Sequence, residues 1–419
     1  MPLTLTAVAA EEILDSRGNP TVRVIVTTDR GHCVEAQVPS GASTGSAEAV
    51  EMRDDDPRRF AGKGVLAAVA HVNGPIADAL IGHGFADLGE LDRTLIDLDG
   101  TTNKSVLGAN AIVGVSMASA RAFAADAGLP LWEQLGIGVP ARLPVPHFNV
   151  VNGGAHAPNP LDFQEFMLAP LGAPSYADAV RAGAEVYARL RAGLAEAGHA
   201  TGLGDEGGFA PELTRPEEVL QIIVAAIEDA GYRAARDGIA IALDPAASEL
   251  GAGGRYRVAG QIWSSTELIA FYEDLVERFP IWSIEDGLGE DDPVGWQHLT
   301  ARLGQRIQLV GDDNFVTNPS IIRQAISDGI GNAALIKLNQ VGTVSETLEA
   351  LQVARKGGYA AMISHRSGET PDAFIADLAV GSGCGQIKSG APARGERVAK
   401  YNRLLDIARQ RPDLPFGKE

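Results

Sequence analysis

The sequence predicts an α/β protein: a TIM-like β/α barrel over residues 139–419, preceded by an α+β capping domain over residues 1–138. Three observations point there. Beyond residue 139, short apolar runs alternate with amphipathic segments of helix length, the pattern of a parallel sheet with crossover helices. The runs end in ionisable residues, so a closed barrel would gather charge at the C-terminal ends of its strands, the face that carries the site in such barrels. Ahead of residue 139 the patterning is mixed, with an alternating hairpin and two long helices. An open doubly wound sheet is the competing architecture, but neither a dinucleotide-binding glycine fingerprint nor a phosphate-binding P-loop accompanies it.

In chain order, residues 21–27 alternate as a strand, Asp29-Arg30-Gly31 turns, and residues 33–38 return as its hairpin partner. Residues 39–45 (Pro-Ser-Gly-Ala-Ser-Thr-Gly) form a small-residue loop expected to be mobile. Helical patterns over 65–81 and 109–127 close at Gly82 and Gly128. Residues 136–146, rich in glycine and proline, make the linker. The barrel runs follow: 239–243 ending in Asp244, 281–284 in Glu285, 307–311 in Asp312, 334–336 in Lys337, 360–363 in Ser364-His365-Arg366-Ser367, and 385–387 in Lys388. Helices over 265–278, 319–327 and 343–356 fill the intervals. Another is expected to start at Pro371, capped by Thr370.

Composition bounds the function. The chain has 419 residues, enough for more than one domain and a large core. It carries 54 acidic against 35 basic residues, a formal charge of −19, which argues against nucleic acid or an anionic membrane as the main partner. An acidic protein that takes an anionic ligand needs a local basic pocket, and Arg366 with nearby lysines would supply it. Cys33 and Cys384 lie far apart without metal-ligand spacing, as in a reducing cytoplasm. With no basic-then-apolar leader and no apolar run of membrane-spanning length, a soluble cytoplasmic protein is expected.

The ionisable residues suggest chemistry. A single acid at a strand end is ordinarily a helix cap. Three in succession, Asp244, Glu285 and Asp312, would repel one another unless a cation sat among them, and oxygen ligands without His or Cys suit Mg²⁺ or Mn²⁺. Lys337 lies in a run that should be buried, where desolvation and a nearby cation favour the neutral, proton-abstracting amine. The other reading is a lysine snorkelling outward. Asp205 and Glu206 sit in the glycine-dense stretch 202–208. A carboxyl kept protonated there could donate to a departing hydroxide, although a solvated turn explains the stretch equally well. Arg366 offers a planar fork of donors, Ser367 a hydroxyl, and the helix start free N–H groups, together a cradle for phosphate or carboxylate. A polar surface loop is the plainer alternative. His156, Gln164 and Glu165 fall near the barrel mouth, where spacing alone decides nothing.

Taken together these stretches resemble the enolase family along the whole chain. The matching motifs are Asp15-Ser16-Arg17-Gly18-Asn19-Pro20-Thr21-Val22, Ser40-Gly41-Ala42-Ser43-Thr44-Gly45, Glu51-Met52-Arg53-Asp54, Asn152-Gly153-Gly154, Gln164-Glu165-Phe166-Met167, Gly204-Asp205-Glu206-Gly207-Gly208, residues 364–370, and Gly385-Gln386-Ile387-Lys388. The resemblance implies an enolase-type barrel that reversibly dehydrates 2-phosphoglycerate to phosphoenolpyruvate with two Mg²⁺ per active site. It implies Lys337 as the base, Glu206 as the acid with Glu165 in support, and His365 among the catalytic groups. Asp244, Glu285 and Asp312 would hold the first Mg²⁺, and Ser43 would help hold the second. Arg366 and Ser367 would bind phosphate and Lys388 the carboxylate, with His156 and Gln164 lining the pocket. The loop at 40–45 would close over the substrate. Members of the family are typically dimers, sometimes octamers, and are also found at the cell surface or secreted.

The chain departs from the family pattern in places. Residues 285–293 read Glu-Asp-Gly-Leu-Gly-Glu-Asp-Asp-Pro, without the usual Pro-Phe after Glu-Asp, and this is expected to loosen that loop. Leu250 stands where an aromatic ring is usual after Ser248-Glu249, and Ala155 precedes His156 in place of serine. Such changes leave room for a specialised paralogue of phosphonate biosynthesis that forms carboxyphosphonoenolpyruvate. An additional, non-catalytic surface-binding role is the reading of another class.

Overall fold

The computed structural model describes residues 2–42 and 45–417. Its N-terminal part is a four-stranded antiparallel sheet, in which β1 (Leu3–Leu14) pairs with β2 (Pro20–Thr28) and with β4 (Gly84–Phe85), and β2 pairs with β3 (Cys33–Gln37). β2 and β3 are the expected hairpin. β1 was not foreseen, because Leu-Thr-Leu-Thr-Ala-Val-Ala-Ala-Glu-Glu-Ile-Leu keeps no clean period of two. The sheet packs on the helix Ala109–Ala127, which is buried almost all round. Gly114 permits that approach: a Cβ there would lie 2.7 Å from a methyl of Val24. The helix expected over 65–81 is broken into Leu66–His71, a π-type stretch Val72–Ile76, and Ala77–Leu80. Pro75 has no N–H to give to the ladder, and the wider turn absorbs the loss.

The rest of the chain closes an eight-stranded barrel. Its strands are β5 (Val145–Asn152), β6 (Glu165–Ala169), β7 (Ala240–Asp244), β11 (Ile281–Glu285), β12 (Gln308–Gly311), β13 (Ala333–Ile336), β14 (Ala360–Ser364) and β15 (Gln386–Lys388), joined in that order with β15 returning to β5. A small sheet of β8 (Gly251–Ala252), β9 (Arg255–Val258) and β10 (Gln261–Ser264) is inserted after β7.

The barrel is not all-parallel as expected, for β6 runs antiparallel to both β5 and β7. The connection from β5 to β6 holds one short 3₁₀ turn (Gly154–His156) and no crossover helix, so the chain must turn straight back. Two helices, Tyr176–Glu196 and Pro216–Asp229, then carry it to β7. Because β6 is reversed, its first residue, Glu165, pairs in register with Asn152 and Asp244 at the C-terminal ends of its neighbours.

Helices Ser265–Arg278, Pro319–Asp328 and Val344–Lys356 lie where expected. The helix expected from Pro371 instead begins later, as Phe374–Gly381. Asp372 accepts the N–H of Phe374 (2.8 Å) while its carboxylate is clamped by Arg121 (2.6 Å), which holds residues 370–373 out of the helix. Free helix-start N–H groups therefore do not adjoin Arg366 and Ser367. Continuous hydrophobic packing runs from the N-terminal sheet (Leu5, Val24) and the helix on it (Ile112) to the barrel helices (Ile322, Leu351, Leu378) and fixes the cap over the mouth. No helix among the described residues is long and apolar enough to cross a membrane.

Candidate active site

The C-terminal mouth gathers nearly every residue singled out in the sequence. Asp244, Glu285 and Lys388 end their strands, Asp312 and Lys337 follow theirs by one residue, and Glu165 arrives by the reversal of β6. His365, Arg366 and Ser367 follow β14, and Glu206 and His156 come from loops. All of them but Glu285 line a cavity of about 20 Å³. Gln164 lines it, its Oε1 buried without a hydrogen bond. Ser43 lies outside the described residues. The base of its loop is anchored, since Ser40 and Gly368 exchange backbone hydrogen bonds of 2.8 Å. Gly41 crosses so close to Arg366 that a Cβ would fall 2.0 Å from the guanidinium.

On one flank, cations and anions are paired. Lys388 Nζ lies 2.8 Å from Glu285 Oε1 and 3.1 Å from both Asp244 Oδ2 and Glu165 Oε2. Burial opposes its charge, but those carboxylates outweigh burial and hold the ammonium well above the usual lysine range. Lys337 Nζ contacts Asp312 Oδ2, whose other oxygen accepts from Gln340 Nε2 at 2.8 Å. Here the expectation of a neutral amine is corrected. Burial does favour neutrality, yet Asp312 outweighs it and raises the Lys337 pKa.

Burial, and then the charge of Asp244, push Glu285 well above the ordinary carboxylate range, and its Oε2 is a buried oxygen with no hydrogen bond. An all-oxygen donor set with such an orphan fits a hard divalent cation. Asp244, Glu285 and Asp312 are spread about Lys388. The tightest metal-competent groups among the described residues are His156–Glu165–Glu206 and Asp286–Asp312–Asp313, each with ligand atoms within 4.8 Å.

The other flank holds two carboxyls and two histidines. Glu206 accepts from Asn149 Nδ2 (2.9 Å) and faces His365 Nε2 (3.1 Å). His156 Nδ1 lies between the carboxyls, 3.5 Å from Glu165 and 3.7 Å from Glu206. Burial presses Glu206 toward protonation, but His365 and His156 more than offset it and hold Glu206 well below its usual range. Burial and the Glu206 charge push Glu165 well above. Of the two, Glu165 is therefore the carboxyl that the site favours in the protonated form, whereas the sequence points to Glu206.

Residues missed in the sequence organise these groups. Arg397, wholly buried, gives Nη1 to His365 Nδ1 (2.6 Å), so that Nδ1 accepts and the ring proton sits on Nε2, facing Glu206. It also donates to the carbonyls of Arg366 (2.6 Å), Ser367 (2.5 Å) and Asp205 (3.1 Å). Its signal was legible: Arg397 shares a helical face with buried Tyr401 and Leu404, four and seven residues on, a charge within an apolar stripe. Arg366 grips Glu48 through both Nη atoms (3.0 and 3.1 Å) and also donates to Asn339. Glu48 accepts in turn from Gly45 N and Gln340 Nε2, both at 3.2 Å. Arg17 donates to Ser367 Oγ (3.2 Å), adding a second guanidinium there.

The loop after Glu285 is not loosened as expected. Asp286, in the left-handed region (φ 41°), accepts the N–H groups of Asp312 (2.8 Å) and Asp313 (2.9 Å). Leu288 is fully buried, and its carbonyl takes the Trp296 indole N–H at 3.0 Å. An apolar side chain and a bidentate carboxylate do here what a proline and a ring would do.

Two family models match consecutive parts of the chain: residues 5–135 fit "Enolase, N-terminal domain", and residues 140–413 fit "Enolase, C-terminal TIM barrel domain". A curated protein of Rubrobacter xylanophilus named "Enolase" is 56% identical over 405 residues, covering 96% of this chain and 94% of that protein. With this barrel, cap and charged mouth, the chain belongs to the enolase family and is a lyase of the phosphopyruvate hydratase type.

Proposed function

We propose that the protein interconverts 2-phosphoglycerate and phosphoenolpyruvate as a cytoplasmic homodimer or octamer, with cap and barrel divided near residue 138. One observation carries the reading. Lys337 follows β13 and Glu165 begins β6, strands on opposite sides of the eight-stranded ring, so a proton acceptor and a carboxyl pair face each other across one pocket.

A proton α to a carboxylate is very weakly acidic, and its removal leaves a doubly charged enolate. Lys337 in its neutral form takes that proton. Asp312, which now holds it as the ammonium, belongs with Asp244 and Glu285 to the set that would bind one Mg²⁺, so metal uptake and readiness of the base are linked. Two Mg²⁺, one with Ser43 among its ligands, would supply positive charge to the developing enolate. Lys388 adds a fixed charge toward the substrate carboxylate. Arg366 and Ser367 bind the phosphate, which replaces the Glu48 carboxylate on the guanidinium. Glu206 delivers a proton to the departing 3-hydroxyl, with Glu165 as the adjoining reservoir. His365 and His156 orient Glu206, and Gln164 and His156 line the substrate.

The test is the ultraviolet absorbance of the enol product after adding 2-phosphoglycerate and Mg²⁺, beside a metal-free control and Lys337→Ala. Metal-dependent turnover lost in Lys337→Ala supports the reading. Wild-type protein that binds the substrate without turning it over would overturn it in favour of the specialised paralogue.

A further inference from the structure

At the other end of the barrel from the catalytic groups lies a cavity of about 610 Å³, within the size range of small-molecule sites. It opens where β11, β12, β14 and β15 begin, a strand length or about 15 Å from the mouth. Three arginines from three separate connections line it: Arg236 ahead of β7, Arg306 ahead of β12, and Arg355 near the end of the helix before β14. Among the described residues none that lines it is acidic. In a chain with 54 acids against 35 bases, that wall runs against the charge of the molecule.

Several of the lining groups already have partners that bear on what a ligand would meet. Asn332 spends its amide donors on the carbonyls of Gly304 and Ile307, and the Tyr359 hydroxyl goes to Ile330 O. Arg236 donates to the carbonyls of Val276 (3.0 Å) and Arg306 (3.4 Å), which orient the guanidinium without neutralising it. Arg306 meets Glu277 at 2.6 Å, but that carboxylate is 69% exposed, and an exposed pair yields to a better-matched anion. Deeper in, the buried amides of Gln308 and Gln386 clasp each other at 2.9 and 2.8 Å. The second donor of Gln308 goes to Ser283 Oγ (3.2 Å), which leaves Gln386 with one N–H to give.

We propose that this cavity is a second ligand site, for a small organic anion bearing two or more carboxylate or phosphate groups. The guanidinium forks bind the anionic groups at the rim, and Gln386 donates to an oxygen at the floor. Such a ligand acts at a distance from the chemistry, since no catalytic group borders the cavity.

Inorganic pyrophosphate is the probe, titrated calorimetrically into the metal-free, full-length protein. Arg366→Ala removes the catalytic anion cradle, so binding of one equivalent that survives there reports the second site. Adding Arg306→Gln and Arg355→Gln to that variant is expected to weaken it by about tenfold or more. On the wild-type background the same two substitutions are expected to leave thermal unfolding and turnover unchanged and to lower the stoichiometry from two to one. That background decides the matter if Arg366→Ala fails to fold. A flat titration in folded Arg366→Ala, or binding indifferent to Arg306 and Arg355, overturns the proposal.

Discussion

On the side of the pocket from β12 to β15 the cations have anionic partners: Lys337 with Asp312, Lys388 with Asp244 and Glu285, Arg366 with Glu48. On the β5–β6 side, two carboxyls share their space with two histidines whose own proton affinity burial lowers, and burial pushes Glu165 toward its protonated form. Proton affinity on the first side is set by a partner, since Lys337 is raised by Asp312 against the pull of burial. At Glu165 on the second side burial itself leads, for it is the largest cause of that shift. A partner can be competed away by a ligand or metal, whereas burial persists as long as the fold does. Binding can thus shift protonation on the first flank, whereas on the second the fold itself favours a proton on Glu165 until the reaction draws on it.

The sharpest way to break this comparison is to disable one flank and ask whether the other still works. Lys337→Met removes the base, and turnover should fall by about 10³-fold or more. Exchange of the substrate's α-proton with deuterated solvent should vanish with it. Glu206→Gln should lower turnover by about 10²–10⁴-fold while leaving that exchange readable by NMR, because Lys337 is untouched. Loss of exchange in both variants would mean that the flanks do not act separately.

Arg397 tests the second flank from beneath. Arg397→Met leaves the carbonyls of Arg366, Ser367 and Asp205 without their buried donor and frees the His365 tautomer. Stability to urea should fall by about 3 kcal/mol or more. Arg397→Lys, which keeps the charge but not the fork, should recover part of the stability and less of the activity. Equal recovery of both would reduce Arg397 to a packing role.

What the sequence made legible follows the same division. Lys337, Asp244, Glu285, Asp312 and Lys388 were readable because each closes an apolar run, and a parallel strand delivers its last residue to the mouth. Glu165 begins its run, so its place depends on the reversal of β6, which comes from the lack of a crossover helix after β5. The grip of Glu48 on Arg366 spans 318 positions and leaves no local trace. The helix start at Phe374 was misplaced because Thr370-Pro371 is a good local signal, overruled by the Asp372–Arg121 clamp from the cap.

A pH series sharpens the comparison further. Burial, the largest cause, depresses His365 from 6.5 to about 4, so the folded protein resists a proton that the unfolded chain accepts. Its contribution is intact above about pH 6.5 and is lost between about pH 6.5 and 4, amounting to at most about 3 kcal/mol. Urea midpoints across that window should decline in the wild type. A flat profile would show that His365 is not held neutral.

The smallest effect is expected where the first flank meets the loop over 40–45. Glu290, within the stretch that departs from the family pattern, accepts from both the N–H (3.2 Å) and the hydroxyl (3.1 Å) of Ser46, just beyond the loop. These bonds are exposed, worth about 1 kcal/mol or less together. Glu290→Ala should therefore raise KM for 2-phosphoglycerate by about threefold and leave kcat and solvent exchange alone. If exchange falls with KM, the loop does more than admit substrate. Through Glu48, which touches Gly45, Gln340 and Arg366, it would then be holding Asp312 and the base in register.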